Sequence, residues 1–314
     1  MPTPDEIALV LPGGGAWIYA QAWALHALFS ARPDLLGKIK GIYGNSAGSI
    51  SSACMAAGLM AGNGTELLME ALSEVKQDSD IYTPDVMAFL EHPALHPFII
   101  SRASEGLLFG QSAMDQSPLW ALLQKHLGQL DTDEVLAKVG VDVAVRAFDS
   151  AGQGGVALDG VLWEMAAASS AIECAFLPHK GLSDGGPFDN CPVDLALEAG
   201  FQRILVVYCG PEGPLPNLKR VRIDGSYKGP AKPMLARQVA GNLLGKITQN
   251  NEDMNSQRLV PWVAQGGSLV ECYPAEGVQI GNILDFNLAA QEVRKAAGLT
   301  AASVALEAIT AQGW

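Results

Sequence analysis

Residues 41–50, "GIYGNSAGSI", place Ser46 at the centre of a Gly-x-Ser-x-Gly pattern. The stretch before it, "IKGIY" (39–43), is apolar and β-branched enough for a buried strand. The stretch after it, "AGSISSACMAAGL" (47–59), is small and helix-compatible. Ser46 is therefore either a nucleophile on a sharp strand-to-helix turn or a serine in a plain glycine-rich bend. The first kind of turn needs small residues two positions either side, because a β-carbon there would strike the adjoining strand and helix. Gly44 and Gly48 meet that need. Such a turn lifts the serine hydroxyl off the strand end. It also aims the next backbone N–H, that of Ala47, at developing negative charge from a helix N-terminus.

Upstream, "IALVL" (7–11) reads as a buried strand running into "PGGG" (12–15) and then a helical stretch, 16–36. A strand–loop–helix–strand–turn–helix opening predicts an α/β fold, a mainly parallel central sheet between helices in three layers. Further strands are expected at 141–148, 203–209 and 268–273. Helices are expected at 65–77, 117–128 and 234–250, with a terminal helix pair over 287–311. Residues 211–233 are rich in proline and glycine and read as a surface connection. The chain reads as one domain, 1–314, with core motifs over 7–210, a lid insertion at 78–116 and a C-terminal helical region at 234–314.

Of the 314 residues, 49% are apolar and 17% charged, so a large core is expected and disorder is excluded. A net charge of −13 excludes nucleic acid as a partner and disfavours purely electrostatic docking on anionic membranes. The five cysteines, Cys54, Cys174, Cys191, Cys209 and Cys272, lack metal-ligand spacing and fit a reducing compartment. The start of the chain has no basic region and only a short apolar run, unlike a secretory leader. No stretch approaches the ~20 apolar residues of a spanning helix. A cytoplasmic protein without metal or cofactor is expected; nothing in the sequence speaks to oligomeric state.

A serine nucleophile needs oxyanion donors and a base. Gly13, Gly14 and Gly15 expose backbone N–H groups after a strand and are the donors expected alongside Ala47. The rival dinucleotide pattern fails, since Ile18 stands where its third glycine belongs and the only acid near the required spacing is Asp34. The histidines are His26, His92, His96, His126 and His179, and none follows position 179. A triad in the α/β-hydrolase order Ser…Asp/Glu…His would need an acid before His179. The other solution is a carboxylate acting directly as the base. With a pKa near ~4 it works only when held within ~2.6–3.2 Å of the hydroxyl beside an oxyanion hole. Asp184, followed by Gly185 and Gly186 on a tight loop, is the conspicuous candidate.

Four segments, in order, resemble the patatin-like phospholipases: "LPGGGA" (11–16), "GNSAG" (44–48), "AAASSAIECAF" (166–176) and "SDGGPFDNCPV" (183–193). "MDQSPLWALLQKHL" (114–127) also resembles the family's segment before its third core strand. The resemblance covers residues 7–210 and is weak beyond. It implies a Ser46–Asp184 dyad, an oxyanion hole from Gly13, Gly14, Gly15 and Ala47, a sheet arrangement distinct from the α/β-hydrolases, and metal-free hydrolysis of lipid acyl esters. Two departures stand out. Trp17 and Ile18 replace the usual basic residue and glycine, and Glu173 replaces a proline.

Other features have blander readings. His92 and His96 in "HPALHP" are four apart but flanked by prolines, and read as loop histidines. Asp78, Asp80, Asp131 and Asp133 read as turn or capping acids. Asp189 and Asn190 read as ties for the Asp184 loop. Trp17, Tyr19 and Trp23 read as core or pocket wall, and His179 as a residue that could line the site. Two apolar clusters in 95–109 suggest transient membrane contact through a lid, or core packing beneath a loop. Competing functions are an esterase, thioesterase or acyltransferase on soluble acyl groups, and a degenerate scaffold.

Overall fold

The computed structural model describes residues 1–83, 114–149, 154–172, 175–186, 189–210, 259–275, 278–281 and 283–314. The expected helix at 234–250, the connection at 211–233, Glu173, the histidines His92 and His96, and the clusters of 95–109 lie outside them.

Strand β1 (Ile7–Leu11) is buried along its whole length. Its side chains alternate between two cores. Ile7, Leu9 and Leu11 join one apolar cluster, while Ala8 and Val10 join the other. A continuous apolar run is what a strand covered by helices on both faces requires. β1 pairs in parallel with β2 (Ile39–Asn45) on one side and with β6 (Arg203–Val207) on the other. β2 continues to β3 (Asp142–Asp149), and β6 to β7 (Ser268–Cys272), again in parallel. Two short strands, β4 (Gly154–Leu158) and β5 (Leu182–Asp184), pair antiparallel with β3. The sheet is thus mainly parallel, in the order β4-β3-β2-β1-β6-β7, with β5 added on β3.

One layer holds α1 (Ile18–Ala31), α2 (Ala47–Ala61), α3 (Glu66–Glu74) and α4 (Ser117–Leu127). It also carries α5 (Thr132–Val139), α6 (Leu162–Ser169) and α8 (Leu288–Ala311). The other face is covered by α7 (Val193–Glu198) together with Leu259 and Trp262. Asp131 caps α5, its carboxylate accepting from the Asp133 N–H at 2.9 Å.

Two expectations need correction. The expected helix 16–36 is three pieces, a 3-10 turn at Gly15–Trp17, α1, and a second 3-10 turn at Pro33–Lys38, because Pro33 cannot continue α1. The terminal helix pair is a single helix, α8. Gly298, in its middle, does not break the helix; it lets the helix lie against α1, where a β-carbon would fall 2.2 Å from the Ala20 carbonyl oxygen. Most of the expected insertion 78–116 lies outside the described residues, and its flanks meet side by side. Thr83 and Asp115 form an antiparallel bridge with N–H···O distances of 2.9 and 2.6 Å. No helix among the described residues is long and apolar enough to cross a membrane.

Candidate active site

β2 ends at Asn45, and α2 begins at Ala47. Ser46 between them has φ 51° and ψ −126°, a backbone state that L-residues rarely adopt. The packing that enforces it is close. A β-carbon on Gly48 would sit 1.8 Å from the Leu11 carbonyl oxygen, and one on Gly44 would sit 2.2 Å from Ser52 Oγ. Ser169 of α6 accepts the Ser46 N–H through its Oγ at 2.8 Å, and Ser49 Oγ donates to the Ser46 carbonyl at 2.5 Å. The strained residue is therefore held on both sides of its own peptide unit.

Asp184 comes to the same place through strand register. β2 pairs with β3 up to Asn45, which lies opposite Arg146. One position further along β3, Ala147 lies opposite Asp184. β5 thus takes over β3 where β2 turns away at Ser46. Asp184 is 4% exposed; its Oδ1 accepts the Gly186 N–H at 2.7 Å. A β-carbon on Gly186 would lie 3.0 Å from Asp184 Oδ1 and 3.5 Å from both Asn45 Nδ2 and Asn190 Oδ1.

Asn190 joins the three loops. Its Oδ1 accepts from Asn45 Nδ2 at 3.1 Å, beside Ser46. Its Nδ2 donates to the Gly13 carbonyl at 3.4 Å, and its own carbonyl accepts the Gly13 N–H at 3.2 Å. Gly13 is packed so tightly that a β-carbon would meet Ser46 Cβ and Asn190 Oδ1, both at 2.6 Å. With its N–H spent on Asn190, Gly13 differs from its neighbours. Among the described residues, the N–H groups of Gly14 and Gly15 donate to no protein acceptor, and that of Ala47 opens α2 as one of its orphan donors.

Beneath these loops Arg146 pairs with Asp194 and lies 3.9 Å from Asp189 Oδ2. Burial pushes the Asp189 carboxyl up to about 7, with Asp194 pushing the same way against Arg146. Asp189 Oδ1 also accepts the Cys191 N–H at 3.2 Å, so the acid ties the loop behind Asp184, as its neighbour Asn190 does in front.

A narrow cavity opens on Ser46, Ala47 and Gly15. Its walls are almost wholly hydrocarbon, among them Leu72, Ile81, Leu119, Leu123 and Phe176. One wall comes from far along the chain: Ile283, Leu284 and Phe286. This strap is pinned at several points. The Ala16 N–H donates to the Ile283 carbonyl at 2.6 Å, and Trp17 Nε1 donates to the Gly281 carbonyl at 3.0 Å. Asp78 Oδ1 accepts the Phe286 N–H at 2.6 Å, and the fully buried Arg294 donates to the carbonyls of Ile280 and Asp285. Trp17, which departs from the family pattern, is thus an anchor for the strap. Tyr19 is core, its hydroxyl donating to the Leu72 and Val75 carbonyls at 3.4 Å. Trp23 lies against α8, with Lys295 Nζ 4.5 Å from its ring centre.

His179 is not among the residues lining this cavity. Its ring sits edge-on between Trp120 and Trp163, with centroid separations of 5.0 and 5.6 Å. Burial holds its imidazole below the ordinary range, Lys180 acting the same way and Glu164 opposing. Asn45, Gln116, Ser169 and the strap residues 280–281 and 283–286 were not singled out by sequence reasoning. Ser169 lies inside the quoted "AAASSAIECAF", and Gln116 inside "MDQSPLWALLQKHL"; the strap carries no local signal. Among the described residues no group of three or more His, Cys, Asp or Glu side chains could hold a metal ion.

The model of the patatin-like phospholipase family matches residues 9–197, more than half of the chain. No curated protein sequence matches significantly. Solved structures similar to the chain include VipD from Legionella pneumophila, at 13% identity and a TM-score of 0.43, covering 98% of this chain and 67% of that one. The type III effector ExoU is similar at 14% identity and a TM-score of 0.38, covering 98% of this chain and 53% of that one. From the family match, the chain belongs to the patatin-like phospholipase family of lipid acyl hydrolases.

Proposed function

We propose that the protein cleaves acyl esters of phospholipids or related lipids through an acyl-enzyme on Ser46, with Asp184 as the base. The observation that carries this reading is a serine in a strained turn at the mouth of a hydrocarbon-walled cavity, with a buried aspartate at the adjoining strand position. The acyl chain lies in the cavity and its carbonyl faces Ser46. Asp184 takes the Oγ proton as Oγ attacks the carbonyl carbon. The oxyanion is held by the N–H groups of Gly14, Gly15 and Ala47, groups directed beforehand at the charge that develops. Collapse expels the alcohol, which receives the proton from Asp184. Water then attacks the acyl-serine, Asp184 takes its proton, and the free acid leaves with Ser46 restored. The hydrocarbon wall of the cavity favours a lipid acyl chain over a polar acyl group. Membrane contact is the expected consequence of a lipid substrate.

Labelling with a fluorophosphonate tests the nucleophile, and lipid analysis of a defined phospholipid mixture tests the substrate class. Ser46→Ala abolishes labelling and turnover; residual ester hydrolysis within about tenfold of wild type removes Ser46 from this role. Asp184→Asn is expected to be comparably damaging, whereas His179→Ala is mild. The reverse pattern in those two variants would reassign the base.

A further inference from the structure

Gln21 is fully buried in the first turn of α1, a helix that also buries Ile18, Ala22, Leu25 and Leu28. Both ends of its amide are engaged. Nε2 donates to the Val207 carbonyl at 2.7 Å and to the Pro12 carbonyl at 3.2 Å, and Oε1 accepts from Ser51 Oγ at 2.6 Å. Carbonyls only accept, so the nitrogen end is fixed on these two. One side chain thus ties the end of β6, the start of the glycine loop and α2.

The Pro12 carbonyl is the contact that bears on chemistry. Three glycines follow it, and glycine peptides reorient easily because no β-carbon restricts φ and ψ. In a trans peptide the C=O and the next N–H point to opposite edges of one plane. Holding a carbonyl therefore aims the N–H that follows it. Gln21 Nε2 and Cys209 Sγ hold the Pro12 carbonyl at 3.2 and 3.3 Å, while the Gly13 N–H on the other edge meets the Asn190 carbonyl at 3.2 Å. Asn190 Nδ2 donates to the Gly13 carbonyl, and the Trp17 N–H donates to the Gly14 carbonyl at 3.1 Å. The N–H groups of Gly14 and Gly15 lie on the opposite edges of those two planes. The loop is in contact with the serine turn: a β-carbon on Gly13 would sit 2.6 Å from Ser46 Cβ, and Gly15 lines the cavity together with Ser46. Without Gln21, the first peptide of this series keeps only the weaker thiol donor on its carbonyl.

We infer that Gln21 is a positioning residue for the oxyanion hole: by holding the Pro12 carbonyl it sets the loop that presents the Gly14 and Gly15 N–H groups to the attacked carbonyl oxygen. The inference rests on the reading of Ser46 as the nucleophile. Donors aimed in advance at a developing charge lose much of their effect when the loop carrying them shifts. If Gln21 only filled the core, its loss would cost stability and leave the chemistry of the folded enzyme unchanged.

Gln21→Met, similar in length and without a donor, separates the two. Its kcat on p-nitrophenyl palmitate is expected to fall about 10–100-fold with KM within about twofold of wild type. Inhibition by pentadecyl trifluoromethyl ketone reads the hole directly. Ser46 Oγ adds to the ketone carbon, its proton passes to Asp184, and the former carbonyl oxygen carries the negative charge. The ketone should bind more weakly by the same factor as the loss in kcat/KM. Binding of hexadecanol, a chain without a carbonyl, should be unchanged, which also shows that the variant is folded. An unchanged kcat with a lowered Tm, or equal weakening of ketone and alcohol, overturns the assignment. Should Gln21→Met not fold, Cys209→Ala decides: it keeps the β-carbon against Gly14 and removes the other donor to the Pro12 carbonyl. It should weaken the ketone, and not the alcohol, by roughly two- to fivefold; no change overturns the assignment. A wild-type chain that neither hydrolyses the ester nor binds the ketone removes the hydrolase reading and this inference with it. An active wild type with unaffected variants removes this inference alone.

Discussion

At the scale of single residues, Asn190 is the side chain on which three loops depend. It holds Gly13 by two hydrogen bonds and receives a third from Asn45, next to Ser46. Its work is positioning: it keeps the glycine loop and the serine turn in register with the Asp184 loop. Asn190→Asp retains the acceptor for Asn45 but loses the donor for the Gly13 carbonyl and adds a charge. The expected result is a fall in kcat on the order of 10–100-fold with KM nearly unchanged. Steady-state kinetics decides it; an equal change in KM would mean that Asn190 holds the substrate instead of the loops. The serine turn itself was legible from sequence, because the Gly-x-Ser-x-Gly spacing stands between an apolar strand and a small-residue helix, although Gly48 is demanded by the Leu11 carbonyl at the end of β1. Asn45 was not, since its partner lies 145 residues away.

At the scale of elements, α8 shows where local propensity and packing disagree. Gly298 lies inside a 24-residue helix, where replacing glycine with alanine ordinarily gains ~1 kcal/mol. Here the added β-carbon would sit 2.2 Å from the Ala20 carbonyl oxygen and 3.1 Å from the Ala24 nitrogen. Both are backbone atoms of α1 and cannot rotate aside. Overpacking of this kind costs ~1–3 kcal/mol, so Gly298→Ala should destabilise by about 1–2 kcal/mol net. Denaturant unfolding measures it, and a stabilised variant would mean that the two helices can slide apart freely. The same helix carries Arg294, which pins the strap forming one wall of the cavity. Distortion at Gly298 is therefore expected to weaken turnover of long acyl esters more than that of short ones.

Across the whole molecule, the buried charges set a dependence of stability on pH. Asp189 keeps its proton up to about 7 in the folded chain, while an unfolded aspartate loses it near ~4. Between those values the unfolded chain has released a proton that the folded chain retains. Raising the pH through that window therefore favours unfolding, by at most ~1.4 kcal/mol for each pH unit crossed. Asp189→Asn removes this contribution and can still accept the Cys191 N–H. Its stability relative to wild type should rise steadily from pH 4 to 7 in urea unfolding at several pH values. A flat difference would show that Arg146 keeps Asp189 ionised throughout. His179 acts in the opposite sense: its lowered pKa favours the folded state above the ordinary histidine range and loses that contribution as the pH falls.

The stretches "IALVL" and "GIYGNSAGSI" determined by themselves the central parallel strands and the sharp turn at Ser46. A contiguous apolar run of strand length suits a strand covered on both faces, and Gly44 answers clashes with Gly48 and Ser52 close by in the chain. The ordered motifs likewise marked the family. What only the tertiary structure decided depends on partners distant in sequence. β5, three residues long, has no pattern of its own, and it exists because β3 extends past the point where β2 turns away. That register brings Asp184 beside the serine turn. The wall formed by Ile283, Leu284 and Phe286 is set by hydrogen bonds to Ala16, Trp17, Asp78 and Arg294, most of them from residues more than 200 positions away. The single helix α8 was settled by the close approach of α1 at Gly298. A hydrogen bond made across the fold satisfies a group that looks, in the linear chain, like any other polar side chain.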